Sequence, residues 1–207
     1  FKKSEDFDWH SAHHGQGGPQ HVTDISPFAH PICRSFIEAA QTLGLPASSD
    51  FNGCKPEGVG YYQINTRGGW RASTANAFLH PVRKRQNLKL KTRAHTTRIL
   101  FDGRRAVGVA YTCKGASLEA KARREVILAG GAINSPQLLM LSGIGPQEQL
   151  QAHGIATVHT LPGVGQNLQD HVTTVLIQRS KRKEVTLGIS LSGLVTVVKS
   201  IFEWRKQ

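Results

Sequence analysis

The chain has 207 residues, 39% of them hydrophobic and 19% charged, which is enough apolar material for a buried core and excludes a disordered or low-complexity chain. Its 26 Lys and Arg against 14 Asp and Glu leave a formal charge of +12, but the basic clusters Arg83-Lys84-Arg85, Arg123-Arg124 and Lys181-Arg182-Lys183 are short, scattered and free of interleaved aromatics, which argues for a solvated surface and against nucleic acid. The three cysteines, Cys33, Cys54 and Cys113, are far apart and form no C-x-x-C pair, a usage that fits reduced thiols in a cytoplasm better than a disulfide scaffold.

Residues 1–25 read as a loop rich in His and Gly, running into a short strand at 21–24. His10, His13 and His14 suggest metal ligands, yet no carboxylate or cysteine completes a set at a usual spacing, so a packed loop is the expected role and no metal is assigned. An amphipathic helix follows over 31–43, with Ile32, Phe36, Ala40 and Leu43 at helical spacing and Gly44 in the C′ position. The 50–62 stretch is a glycine-rich turn region, and 73–79 reads as a helix ended by Pro81. Arg71 is expected in an ordinary ion pair rather than on an anionic ligand.

Residues 87–92 alternate apolar and polar, the pattern of a half-buried strand. Next come strands at 96–101, 106–111 and 117–121, separated by the turn signals Asp102-Gly103 and Lys114-Gly115, which predict an antiparallel meander. The run Val126-Ile127-Leu128-Ala129 is too short for a helix and bounded by glycines, so 125–129 is expected as an interior strand of a parallel sheet. Gly130 and Gly131 permit a sharp turn and close approach of a ligand, and a helix is expected to begin within a residue or two of Ser135, carrying Leu138, Leu139 and Leu141 inward. Strand, glycine turn and helix start are the unit that nucleotide-binding α/β folds set beside a pyrophosphate. A short helix at 147–152, strands at 155–158 and 172–179, and a helix at 191–204 complete the pattern. Gly163-Val164-Gly165-Gln166-Asn167-Leu168 lacks the third glycine and a following helix, and so fails as a dinucleotide fingerprint. Residues 185–202 are apolar but too often interrupted for a membrane span. Gly188-Ile189-Ser190-Leu191-Ser192 only half resembles a nucleophile elbow.

The stretch Gly131-Ala132-Ile133-Asn134-Ser135-Pro136-Gln137-Leu138-Leu139-Met140-Leu141-Ser142-Gly143-Ile144-Gly145 resembles the second signature of the glucose-methanol-choline (GMC) oxidoreductases, flavoproteins that oxidise alcohols with FAD. Other stretches resemble the same family in the same order: His14-Gly15-Gln16-Gly17-Gly18-Pro19, Asp50-Phe51-Asn52-Gly53, Gly58-Val59-Gly60-Tyr61-Tyr62-Gln63, Gly69-Trp70-Arg71-Ala72-Ser73-Thr74, Arg85-Gln86-Asn87-Leu88, and 161–171. An ordered series is far more specific than any one motif, and it covers nearly the whole chain.

The resemblance implies an α/β FAD-binding domain, Rossmann-like but incomplete, with a β-meander and part of an α+β substrate domain. Residues 1–80 are expected on the substrate side, 81–172 as the second half of the flavin domain, and 173–207 as the start of a return to the substrate domain. It implies FAD as cofactor and an alcohol as substrate, with an electron acceptor that it does not name. A cytoplasmic protein is expected, with attachment to the periphery of the inner membrane left open. Thr96 falls where the family touches the FAD adenine through main-chain atoms, and Ala129, Gly130 and Gly131 are the other candidate cofactor contacts. The family's catalytic histidine motif has no match among the ten histidines, so no catalytic residue is assigned. His171, beside Asp170, is expected to be structural because adjacent residues point apart. The pattern begins in mid-sequence, so an internal segment of a longer enzyme is expected, inactive and without FAD when alone. A non-catalytic remnant serving only as an interaction module is the alternative.

Overall fold

The computed structural model describes residues 1–177 together with Leu194, Val195, Val197 and Val198. They fall into two compact units, one of Phe1–Lys89 with the described residues beyond Val175, the other of Leu90–Val175. Most of the expected helix at 191–204, the end of the expected strand at 172–179 and the half-matched elbow at 188–192 lie outside the described residues. The four described residues beyond 177 are helical, while 172–177 form no strand.

In the first unit β1 (Glu5–Phe7) pairs in parallel with β2 (Gln20–Val22), one residue earlier than the strand expected at 21–24. The loop between them lies against β1: Phe7 N–H donates to the Gly15 carbonyl at 3.0 Å, and a Cβ on Gly18 would sit 2.5 Å from the Glu5 carbonyl oxygen. Only glycine allows that approach, which gives His14-Gly15-Gln16-Gly17-Gly18-Pro19 a backbone-packing reason. Acids on and after β1 then meet two histidines. His14, with its side chain 6% exposed, places Nδ1 2.9 Å from Glu5 Oε1 and Nε2 3.0 Å from Asp50 Oδ2, and its ring stacks on Phe7. His21 lies between Asp6 at 3.0 Å and Asp8 at 3.3 Å.

A neutral imidazole has one N–H, so His14 can satisfy both carboxylates only as the imidazolium. Burial alone would lower its pKa from the ordinary 6.5, but the hydrogen bonds to Glu5 and Asp50, and their charges, outweigh it and the net shift is upward. A raised folded-state pKa contributes stability that is fully present below the unfolded value and is lost as pH rises through the folded one. We therefore expect the denaturant midpoint of the parent protein to fall as pH rises above about 6.5, with a shallower fall in His14→Gln. Parallel pH profiles for the two proteins would contradict the assignment.

The helix expected at 31–43 is α1 (Pro31–Thr42), capped by the His30 ring accepting from Ile32 N–H at 3.3 Å and ended through Gly44 at φ 89°. A hairpin of β3 (Thr66–Arg67) and β4 (Trp70–Arg71) follows. The helix expected at 73–79 is instead a π-turn at Ala75–Leu79 running into a 3-10 turn at His80–Val82. Pro81 has no N–H to direct at the Ala77 carbonyl, so regular α geometry cannot continue there. Residues 87–92 form turn and coil, with Leu88 and Leu90 exposed. Their alternation describes a face, but among the described residues no neighbouring strand supplies hydrogen bonds.

The second unit is built on an antiparallel sheet, β5 (Ala94–Asp102), β6 (Arg105–Cys113) and β7 (Ala116–Lys121), in that spatial order. Gly103-Arg104, one residue later than the expected Asp102-Gly103, and Lys114-Gly115 make the two tight turns, the second with φ 51° and 80° as a primed turn requires. A bulge between Thr96 and Arg98 offsets the register of β5. Beyond the sheet come α2 (Gly131–Leu141), β8 (Ile144–Gly145), α3 (Gln147–Ala152) and β9 (His159–Thr160), with β8 and β9 parallel. The helix at 147–152 is as expected. The strand expected at 155–158 is displaced to β9, where Gly143 and Gly145 carbonyls accept the N–H groups of Val158, His159 and Leu161. Leu150 of α3, 1% exposed, is the most buried large side chain among the described residues.

Residues 125–129 depart furthest from expectation. They pair with no strand among the described residues, and Ile127 is 79% exposed rather than buried. An apolar run signals burial, but a parallel strand also needs backbone partners on its edges, and among the described residues the neighbouring sheet pairs β5, β6 and β7 with one another alone. The glycine turn also yields a helix four residues earlier than Ser135. Gly131, at φ 85°, opens α2, and Pro136 lies inside it. Leu138 and Leu139 are half-buried, and Leu141 is 51% exposed.

Candidate functional site

A cleft of about 670 Å³ lies in the second unit between the start of β5, the irregular residues 126–130 and one face of α2. Its size is within the range of about 300–1,000 Å³ typical of small-molecule sites. Thr96, Ala129 and Gly130 all line it, so three of the four residues singled out as cofactor contacts come together across 33 positions of sequence. Gly131 is not among the lining residues. It stands directly behind Gly130 as the first residue of α2, where nothing lies within 4 Å of a would-be Cβ and the φ alone selects glycine.

The turn is held by Ser135, whose Oγ accepts the Gly130 N–H at 3.0 Å and so satisfies one of the donors left open at a helix start. Ser135 thus lies inside α2 rather than at its start, and its side chain reaches back five residues to the turn. His95, Asn134 and Gln137 also line the cleft and were not singled out. Asn134, Gln137, Leu138 and Leu141 recur at spacings of three and four, so they share one helix face, a pattern visible once the helix is begun at Gly131. Among the described residues no Asp, Glu, Lys or Arg lines this cleft. Its polar lining is backbone, amide, hydroxyl and imidazole, which suits a flat heterocycle more than a pyrophosphate.

His14 uses its two ring nitrogens on carboxylates at opposite sides, so its partners cannot converge on one ion, and among the described residues no group of three or more His, Cys, Asp or Glu is arranged to hold a metal. His13 Nε2 lies 2.8 Å from Cys54 Sγ, and all three cysteines are free thiols. His171 N–H donates to the Asp170 carboxylate at 2.8 Å. Arg71 is exposed and makes no ion pair among the described residues, whereas Arg67 binds Asp6 at 2.8 Å. No helix among the described residues is long and apolar enough to cross a membrane.

Sheet, glycine turn and largely apolar cleft are consistent with an FAD-binding α/β domain. The chain belongs to the GMC oxidoreductase family, whose pattern matches residues 1–173. It is 43% identical over 199 residues to an alcohol dehydrogenase [acceptor] of Pseudomonas putida, covering 93% of this chain and 36% of that protein. It is 48% identical over 177 residues to the mitochondrial choline dehydrogenase of Homo sapiens, covering 86% and 30%. Among solved structures it is similar to an FAD-dependent oxidoreductase from Chaetomium thermophilum, with a TM-score of 0.73, 31% identity and coverage of 82% of this chain and 32% of that one. The chain thus spans 30–36% of the length of these relatives. The family and its FAD-dependent solved member support FAD as the cofactor.

Proposed function

We propose that this chain is the portion of an FAD-dependent alcohol oxidoreductase that holds the adenine end of the cofactor. The observation that carries this reading is the convergence of Thr96, Ala129 and Gly130 on one largely apolar cleft with no Asp, Glu, Lys or Arg among its described lining residues. The cleft fits an adenine with its ribose better than a pyrophosphate, which calls for converging N–H groups and positive charge. In this reading Thr96 meets the adenine edge through its peptide groups, Ala129 and Gly130 supply a wall a ring can approach closely, and Gly131 lets the chain turn into α2. Residues 81–172 are the second half of the flavin domain, 1–80 face the substrate side and 173–207 return towards it.

The whole protein oxidises the CH–OH group of an alcohol, a class supported by its alcohol and choline dehydrogenase relatives. Bound FAD supplies hydride acceptance, and the chain's part is to bind and orient it. Anaerobic addition of a primary alcohol to the purified, flavin-loaded whole protein, of which this chain is a part, is expected to bleach the visible absorbance of oxidised flavin. A colourless protein that takes up no FAD would instead favour the second reading, an interaction module, for which the exposed Ile127 and Ile133 speak.

A further inference from the structure

Ser142 closes α2 and is 8% exposed, with a hydroxyl that serves two elements at once. It accepts the Ile99 N–H of β5 at 2.8 Å and donates to the Leu138 carbonyl at 2.6 Å. The direction is forced, because a carbonyl can only accept, so the single hydroxyl proton goes to Leu138 and a lone pair remains for Ile99. Ile99 is itself buried, at 6% exposure, and a side chain from another element answers its backbone donor.

The position of this bond gives it a consequence for the cleft. Thr96 lies three residues before Ile99 on β5, and Leu138 and Leu141 lie four and one residues before Ser142 on α2; all three line the cleft. The hydroxyl therefore ties two opposing walls together at one end. We propose that Ser142 is a positioning residue for the cofactor, fixing the separation of β5 and α2 so that a flat ring is gripped between them. This rests on the reading that the cleft holds the adenine end of FAD. A serine needed only to finish the helix would be satisfied by its bond to Leu138 and would have no part in β5.

The test is FAD titration of the flavin-stripped whole protein, of which this chain is a part, and of four variants. Ser142→Ala deletes both bonds and leaves the Ile99 N–H buried without a partner, and FAD affinity is expected to fall about tenfold or more. Ser142→Thr keeps the hydroxyl and is expected to stay within about threefold. Val164→Ala alters a buried residue outside the cleft and is expected to bind FAD as the parent does. Parental affinity in Ser142→Ala, or an equal loss in Ser142→Thr or Val164→Ala, overturns the proposal. Thr96→Pro separates the two levels: if it leaves FAD affinity unchanged, the reading of the cleft itself fails, whereas loss in Thr96→Pro with none in Ser142→Ala removes only the role of Ser142. Should Ser142→Ala not fold, Ser142→Cys, with its weaker hydrogen bonding, replaces it; an intermediate loss supports the proposal and parental affinity overturns it.

Discussion

Replacing Thr96 by proline in the whole enzyme is expected to strip most of its flavin, while replacing it by valine is expected to leave flavin content nearly unchanged. Thr96 lies at the bulge of β5 and on the wall of the cleft, where the proposed function has the adenine read through peptide groups. Proline removes the N–H and fixes φ, whereas valine keeps both peptide groups and a β-branched shape. Leaving one such hydrogen bond unmade costs about 1–3 kcal/mol, which corresponds to roughly five- to 150-fold in affinity. Flavin absorbance per protein after gel filtration gives the answer, with far-UV circular dichroism to show that β5–β7 persists. Equal loss in both variants, or none in either, would rule out main-chain recognition at this position.

The second large effect is on stability. Gly143 follows α2 at φ 84°, and its carbonyl accepts from Val158 and His159, turning the chain from the helix into β8. A Cβ there would lie 2.4 Å from the Ala156 carbonyl oxygen and 3.0 Å from Val158 Cγ2. Gly143→Ala therefore meets two penalties, about 1–2 kcal/mol for a left-handed backbone and about 1–3 kcal/mol for overpacking. Gly154 has φ 66° but nothing within 4 Å of a would-be Cβ, so Gly154→Ala should meet only the first. Chemical denaturation of the two variants measures the difference. Equal losses would mean that the chain at Ala156 simply moves aside.

Much of the second unit is written locally. β-Branched runs with Asp102-Gly103 and Lys114-Gly115 between them specify the meander, because turn geometry and strand propensity act within a few residues. The same holds for α1, framed by Pro31 and Gly44, and for α3 before Gly154. Residues 125–129 and 87–92 misled for one reason: the pattern of side chains reports which face is apolar but not whether another backbone lies alongside. The candidate site was half legible. Thr96 came from a family resemblance, and Ala129 and Gly130 from the strand-and-glycine pattern, whereas His95, Asn134 and Gln137 became visible only with the true start of α2. Ser142 could not have been found by spacing, since its partner Ile99 is 43 residues away.

The unpaired stretch from Val126 to Ala129 has a further consequence, for solubility. Four consecutive residues of high hydrophobicity and no charge, without a strand partner among the described residues and with Ile127 and Ala129 exposed, are a template on which the same stretch of another molecule can build a cross-strand ladder. Natural chains restrain such segments with flanking residues that resist stacking. Here Arg123, Arg124 and Glu125 stand on one side and Gly130-Gly131 on the other, so charge repulsion guards the entrance and backbone flexibility the exit. The glycine pair that shapes the cleft thereby also limits how far a misassembled ladder could grow, which ties the shape of the ligand site to the colloidal behaviour of the chain.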